Sequence, residues 1–192
     1  MATCNEGIFA DIVSNCTTQK SGGLEVVAYA MNRTDIESVT YDATYDNMVT
    51  AMTMKSTKRV WEVKGIKDLL NAGHDIVTAA DRADLYKHYF ASQAFETEAE
   101  KIFNQDALND IVVIVEAKDK TATGDGVFFI YGLKAGLYKT TSTRRFKDIN
   151  GSRNIEFASM DSALESHSEY VFFDTNYATT LAAVQALLTP AT

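Results

Sequence analysis

The sequence predicts a mainly β fold with two helical segments. Three observations lead there: β-branched and aromatic runs recur between short polar or glycine-bearing breaks, one mid-chain stretch switches to helical spacing, and a second helical face closes the chain. Residues 1–23 are small and polar and end in Ser21-Gly22-Gly23, so they read as an N-terminal arm, with residues 24–192 forming a single domain.

In chain order, Leu24 to Met31 is the first strand, stopped by Asn32-Arg33-Thr34-Asp35. Met48 to Met54 and Lys58 to Gly65 are strand candidates separated by Lys55-Ser56-Thr57, which predicts a hairpin. Residues 66–83 read two ways: Ile66, Leu69 and Leu70 hint at a helical turn, whereas Gly73 and the polar stretch after it suggest an irregular crossing. Leu85 to Phe95 is an aromatic-rich strand. From Glu96 to Leu108 the period changes: Ala99, Ile102, Phe103 and Ala107 fall at helical spacing, with acidic residues crowding the first turn, where the helix dipole favours them. Ile111 to Glu116 is a continuous run of mostly β-branched residues, the mark of a strand buried on both faces. Lys118 to Gly126 is a turn, and Val127 to Leu133 is the returning partner strand. Leu137 to Arg145 and Arg153 to Met160 form a further hairpin around Asn150-Gly151. A short strand at Tyr170 to Phe173 precedes a helix near 176–188 with Tyr177, Leu181, Val184 and Leu188 on one face.

Charge and composition narrow the function. The net charge is −8, so the surface repels phosphates and does not grip nucleic acid through counterion release. An acidic wall nevertheless suits a channel through which DNA slides. No apolar run approaches the ~20 residues a membrane helix needs. The opening Met1 to Glu6 has neither a basic region nor an apolar core, so no export signal is expected. Cys4 and Cys16 read as reduced thiols, although a disulfide closing the arm is open to them, and no histidine lies at metal-ligand spacing from either.

No catalytic constellation emerges. The three histidines, His74, His88 and His167, are far apart in sequence, and His88 reads as a packed or surface residue. Nucleophile-elbow and phosphate-loop motifs are absent. Asp119 to Gly124 imitates the start of a calcium loop, but acidic third and fifth ligands are missing and Ile130 stands where a bidentate Glu belongs, leaving a hairpin turn. Arg144-Arg145 reads either as ordinary strand-end charge or as a contact to phosphate or a neighbour's carboxylate. Met48, Thr50, Met52 and Met54 share one face of their strand at period two. They fit a core, or an adaptable contact with another subunit together with Lys58 and Trp61. Glu62 and Glu156 are candidates for an acidic lumen on strand alternation alone. No cofactor and no metal is expected.

One ordered set of segments resembles the tail tube proteins of tailed phages, especially small tail proteins of phages of Bacteroides-like bacteria. It runs from the aromatic strand Leu85 to Phe95 and the acidic helical segment through Asp110-Ile111-Val112-Val113-Ile114-Val115-Glu116. It continues with Phe129-Ile130-Tyr131-Gly132-Leu133-Lys134-Ala135-Gly136-Leu137-Tyr138 and then Thr140-Thr141-Ser142-Thr143. Cys4-Asn5 and Gly22-Gly23-Leu24-Glu25 match as well. The resemblance implies a β-sandwich or barrel flanked by the mid-chain and C-terminal helices. It further implies hexameric rings whose strands close into a continuous inner barrel, which removes sheet edges, and head-to-tail stacking of those rings. A hairpin at roughly 38–64 and the arm 1–23 would reach the neighbouring ring. The implied setting is the virion tail, assembled in the host bacterial cytoplasm. Its implied partners are further copies, tape measure, tail terminator and baseplate or tail-tip proteins, with a sheath possible, DNA as passenger and no membrane. Alternatives are a tube protein of a contractile injection machine, a tail terminator, or, in a different class, a monomeric β-sandwich that binds a small ligand.

Overall fold

The computed structural model describes residues 23–64, 69–78, 83–94, 106–120, 126–147 and 152–191. Its centre is the β-branched run, where every residue from Ile111 to Glu116 is buried. Such a strand needs cover on both faces, and the chain supplies it as two sheets and a helix.

The strands in chain order are β1 (Leu24–Asn32), β2 (Ile36–Tyr41), β3 (Met48–Met54), β4 (Trp61–Lys64), β5 (Asn71–Val77), β6 (Leu85–Ala94), β7 (Ile111–Ala117), β8 (Phe128–Tyr131), β9 (Tyr138–Arg144), β10 (Arg153–Ala158) and β11 (Tyr170–Phe172), followed by helix α1 (Tyr177–Ala186). Seven strands form one sheet in the order β2-β3-β11-β8-β7-β1-β4, and four form a second in the order β5-β6-β10-β9. All pairings are antiparallel except β11 with β3.

Alternation then sorts the core. On one face of the larger sheet Tyr29, Met31, Val112, Ile114, Phe128 and Ile130 join Val184 and Leu187 from the helical end of the chain. Their sequence neighbours Ala28, Ala30, Ile111, Val113, Val115 and Tyr131 point the other way and join Phe90, Ile155 and Phe157 of the smaller sheet. The protein is therefore a β-sandwich with a C-terminal helix on the outer face of its larger sheet. The mid-chain helix predicted over 96–108 falls mostly outside the described residues, where only Asp106 and Ala107 are seen to be helical.

The passage from β8 to β9 carries the chain between sheets. Gly132 and Gly136 both have φ of 76° there. A Cβ on Gly132 would stand 2.6 Å from Leu137 Cγ and 2.9 Å from the Ile111 carbonyl, so this tight corner demands glycine. The sequence segment Gly132-Leu133-Lys134-Ala135-Gly136-Leu137 forms this corner.

Three expectations need correction. β3 and β4 are not a hairpin: β3 lies between β2 and β11, whereas β4 pairs with β1 at the opposite edge. The intervening residues cross beneath the helical end of the chain, tied by Thr57 N–H to Ala191 O at 2.8 Å and Val60 N–H to Leu187 O at 2.8 Å. Residues 38–64 are consequently no projecting arm. β2 is also a full strand, paired with β3 through Ile36 to Tyr41. Finally, part of the stretch read as irregular is the edge strand β5. Its Gly73 lies under Tyr89, whose hydroxyl would be 2.5 Å from a Cβ at that position.

Candidate functional site

Among the described residues both faces of the seven-stranded sheet are covered, but the four-stranded sheet is covered on one only. Its other face is polar. Asp75 stands opposite Lys87 and Gly73 opposite Tyr89 on β5 and β6, while Glu156 on β10 stands opposite Ala91. Asn71, Asp75, Lys87, Tyr89, Ala91 and Glu156 border an open depression of about 270 Å³. Lys87 Nζ is held 2.7 Å from Asp161, so the acidic groups Asp75 and Glu156 dominate the charge of this face.

Each edge of that sheet is open among the described residues, because β5 pairs only with β6 and β9 only with β10. An edge strand offers unpaired N–H and C=O groups to another chain unless proline, charge or a bulge blunts it. β5 and β9 contain no proline. β9 is rich in Thr and Ser and has a register shift opposite Glu156 and Phe157, and Ile76 on β5 is 56% exposed.

The residues predicted to contact a second subunit separate into two groups. A register shift between Val49 and Ala51 changes the phase of β3, so that Val49, Met52 and Met54 all enter the core. Core packing thus accounts for Met52 and Met54. Met48 and Thr50 are half-buried, Thr50 Oγ1 donating to Thr40 O at 3.3 Å. Lys58 is paired with Asp35 at 3.4 Å. Trp61, on the edge strand β4, remains exposed with the Arg59 guanidinium 3.7 Å above its ring.

Glu62 and Glu156 are not brought together. Glu62 is opposite Tyr29, on the helix-covered side of the larger sheet, where it pairs with Lys64 at 2.9 Å. Glu156 belongs to the outer face of the smaller sheet, so no single wall carries both.

The histidines are far apart in sequence, yet His74 and His88 both meet the segment between β10 and β11, to which His167 belongs. His88 is fully buried. Its Nδ1 accepts from Gly132 N–H at 3.0 Å, which leaves Nε2 to carry the proton and donate to His167 O at 2.9 Å. Burial is the main force lowering the His88 pKa below the usual imidazole value, with Glu165 opposing it. His74 Nδ1 lies 4.0 Å from Glu169, and His167 Nε2 lies 3.7 Å from Asp46. Glu165 is buried as well, its Oε1 accepting from Lys134 N–H at 3.0 Å and Ala135 N–H at 2.8 Å. Burial foremost raises the pKa of Tyr170, which donates to Glu165 at 3.3 Å, and of Tyr131, which donates to Glu169 at 3.4 Å. With both ring nitrogens committed, His88 is built to hold the corner at Gly132 rather than to accept a substrate proton.

Among the described residues no group of three or more His, Cys, Asp or Glu side chains is placed to hold a metal ion, and no helix is long and apolar enough to cross a membrane. No family model matches the chain, and no curated protein or solved structure is detectably similar to it.

Proposed function

We propose that this chain is the structural subunit of a phage tail tube, closing into hexameric rings that stack into a conduit for DNA. The observation that carries the reading is the four-stranded sheet, which among the described residues has one packed face, one uncovered polar face and an open strand edge on each side. Joining β5 of one copy to β9 of the next satisfies both edges and rolls the polar face inward. Glu156 and Asp75 then face the axis, and a wall with this charge lets a polyanion pass without holding it. Glu62 lies outside that wall.

The seven-stranded sheet and α1 form the outer layer of the ring in this arrangement. Its exposed Trp61, a large aromatic beside an open strand edge, is the first candidate for contact between stacked rings. The partners that follow are tape measure, tail terminator and tail-tip proteins, with DNA as passenger. A monomeric ligand binder is the competing reading, and the depression beside Asp75 and Glu156 is what favours it.

Negative-stain microscopy and light scattering on the purified full chain separate the two. Rings or tubes with an axial hole are expected, whereas a strict monomer at high concentration would refute the tube.

A further inference from the structure

We propose that residues 165–170 are an acid-sensitive latch across the sandwich, released when the His88 ring gains its second proton. This goes beyond the tube reading and does not depend on it, because every contact lies within one chain.

The segment touches both sheets. Glu165 pairs its backbone with Tyr86 of β6 in both directions at 2.9 Å, while its carboxylate caps the N–H groups of the β8–β9 corner. The His167 carbonyl takes the proton of His88 Nε2, and Tyr170 begins β11. Among the described residues, His88 is the one ring bonded to the corner and to the latch together.

A second proton on that ring has to go on Nδ1, which then points a donor at the Gly132 N–H. The N–H cannot easily turn aside, because the corner is pinned by Gly136 N–H to Gly132 O at 3.0 Å and by the reciprocal backbone bonds of Leu137 and Ile111 at 2.8 and 3.0 Å. The ring must leave, and the Nε2 bond to the latch goes with it. The groups facing His88 do not remove this conflict. From β5, His74 adds charge of the same sign when protonated. From β8 and β11, Tyr131 and Tyr170 present ring edges to the imidazole at centroid distances of 5.2 and 6.4 Å. From the latch, Glu165 attracts the imidazolium, but its oxygens are committed to Lys134, Ala135 and Tyr170. The pairs His74–Glu169 and His167–Asp46, at 4.0 and 3.7 Å, are partly exposed, so water screens them.

The sign follows from burial. His88 binds a proton less readily in the closed latch than when opened to water. Closure is therefore fully favoured above a pH of about 6.5 and loses stability as the pH falls below it.

The test is amide hydrogen exchange on the full chain between pH 7.5 and 5, corrected for intrinsic rates, with ring-nitrogen NMR of His88. Protection at Gly132, Lys134, Ala135 and residues 159–170 should fall by up to about tenfold per pH unit below about 6.5. The NMR should show an Nε2–H tautomer that titrates below that value. His88→Gln, which cannot titrate, should flatten the profile. If this variant does not fold, the wild-type ring titration decides alone. Protection that does not change with pH, a His88 midpoint at or above 6.5, or a wild-type slope in a folded H88Q protein would each overturn the latch.

Discussion

At the scale of single residues, Glu165 shows how a charged side chain earns a place in a core. It is completely buried, yet its Oε1 accepts two backbone N–H groups of the corner that joins the sheets, and Tyr170 donates to Oε2. Those N–H groups lie where no strand partner reaches them, and leaving a buried donor unpaired costs ~1–3 kcal/mol. Glu165→Ala orphans both and should destabilise the protein by about 3–5 kcal/mol, counting also the loss to Tyr170. Glu165→Gln keeps the Oε1 acceptor and should cost no more than about 1 kcal/mol. Denaturant melts at pH 7 compare them, and equal losses would show that charge rather than the acceptor matters. Little of this was legible beforehand. Glu165 sits in a polar, loop-like stretch with nothing to distinguish it from its exposed neighbours, and His88 read as one more residue of an aromatic strand. What brings them together is the corner at Gly132 and Gly136, whose glycines were visible but whose orphan donors appear only once the backbone is folded.

At the scale of elements, local pattern reported existence and tertiary pairing decided neighbours. β1, β3, β6, β7, β8, β9, β10 and β11 stand close to their predicted positions because side-chain alternation and β-branched runs are local properties. The β7–β8 and β9–β10 hairpins were also foreseen, each from a short turn segment. β5 was not, since Asn71-Ala72-Gly73-His74-Asp75 has weak strand preference and is held by its pairing with β6. The β3–β4 hairpin failed for a different reason: the chain after Met54 is captured by residues near its own C-terminus, over a hundred positions away. That capture makes α1 a keystone of the outer layer. Its N-terminus carries a reciprocal cap, with Asn176 Oδ1 accepting from Thr179 N–H at 3.1 Å and Thr179 Oγ1 accepting from Asn176 N–H at 3.0 Å. Asn176→Ala should cost about 1 kcal/mol, lowering Tm by roughly 2–4 °C for a chain of this size. Asn176→Asp should retain nearly all of the stability. A calorimetric Tm unchanged in the alanine variant would mean that packing of Val184 and Leu187 alone holds the helix.

At the scale of the whole molecule, the question is what the open sheet edges are for. A strand edge left to water risks uncontrolled pairing, and lone proteins usually guard it. In a closed ring the same edge is the joint. The seam proposed here sets β5 of one copy against β9 of its neighbour, where β9 contributes Lys139 and Arg144. Ile76, more than half exposed on β5, is well placed to probe it. Ile76→Lys adds a cation to the edge and sets like charges across the seam. Each copy presents one such joint, so a ring repeats the repulsion at every interface. The isolated subunit should barely notice, because surface substitutions change stability by only about 0.5 kcal/mol. Rings and tubes should therefore disappear from micrographs while the monomer keeps its melting temperature. Ile76→Val, which preserves shape and neutrality, should assemble normally. Tubes of unchanged diameter from the lysine variant would place the seam elsewhere, with the exposed Trp61 edge of the larger sheet the next position to disrupt.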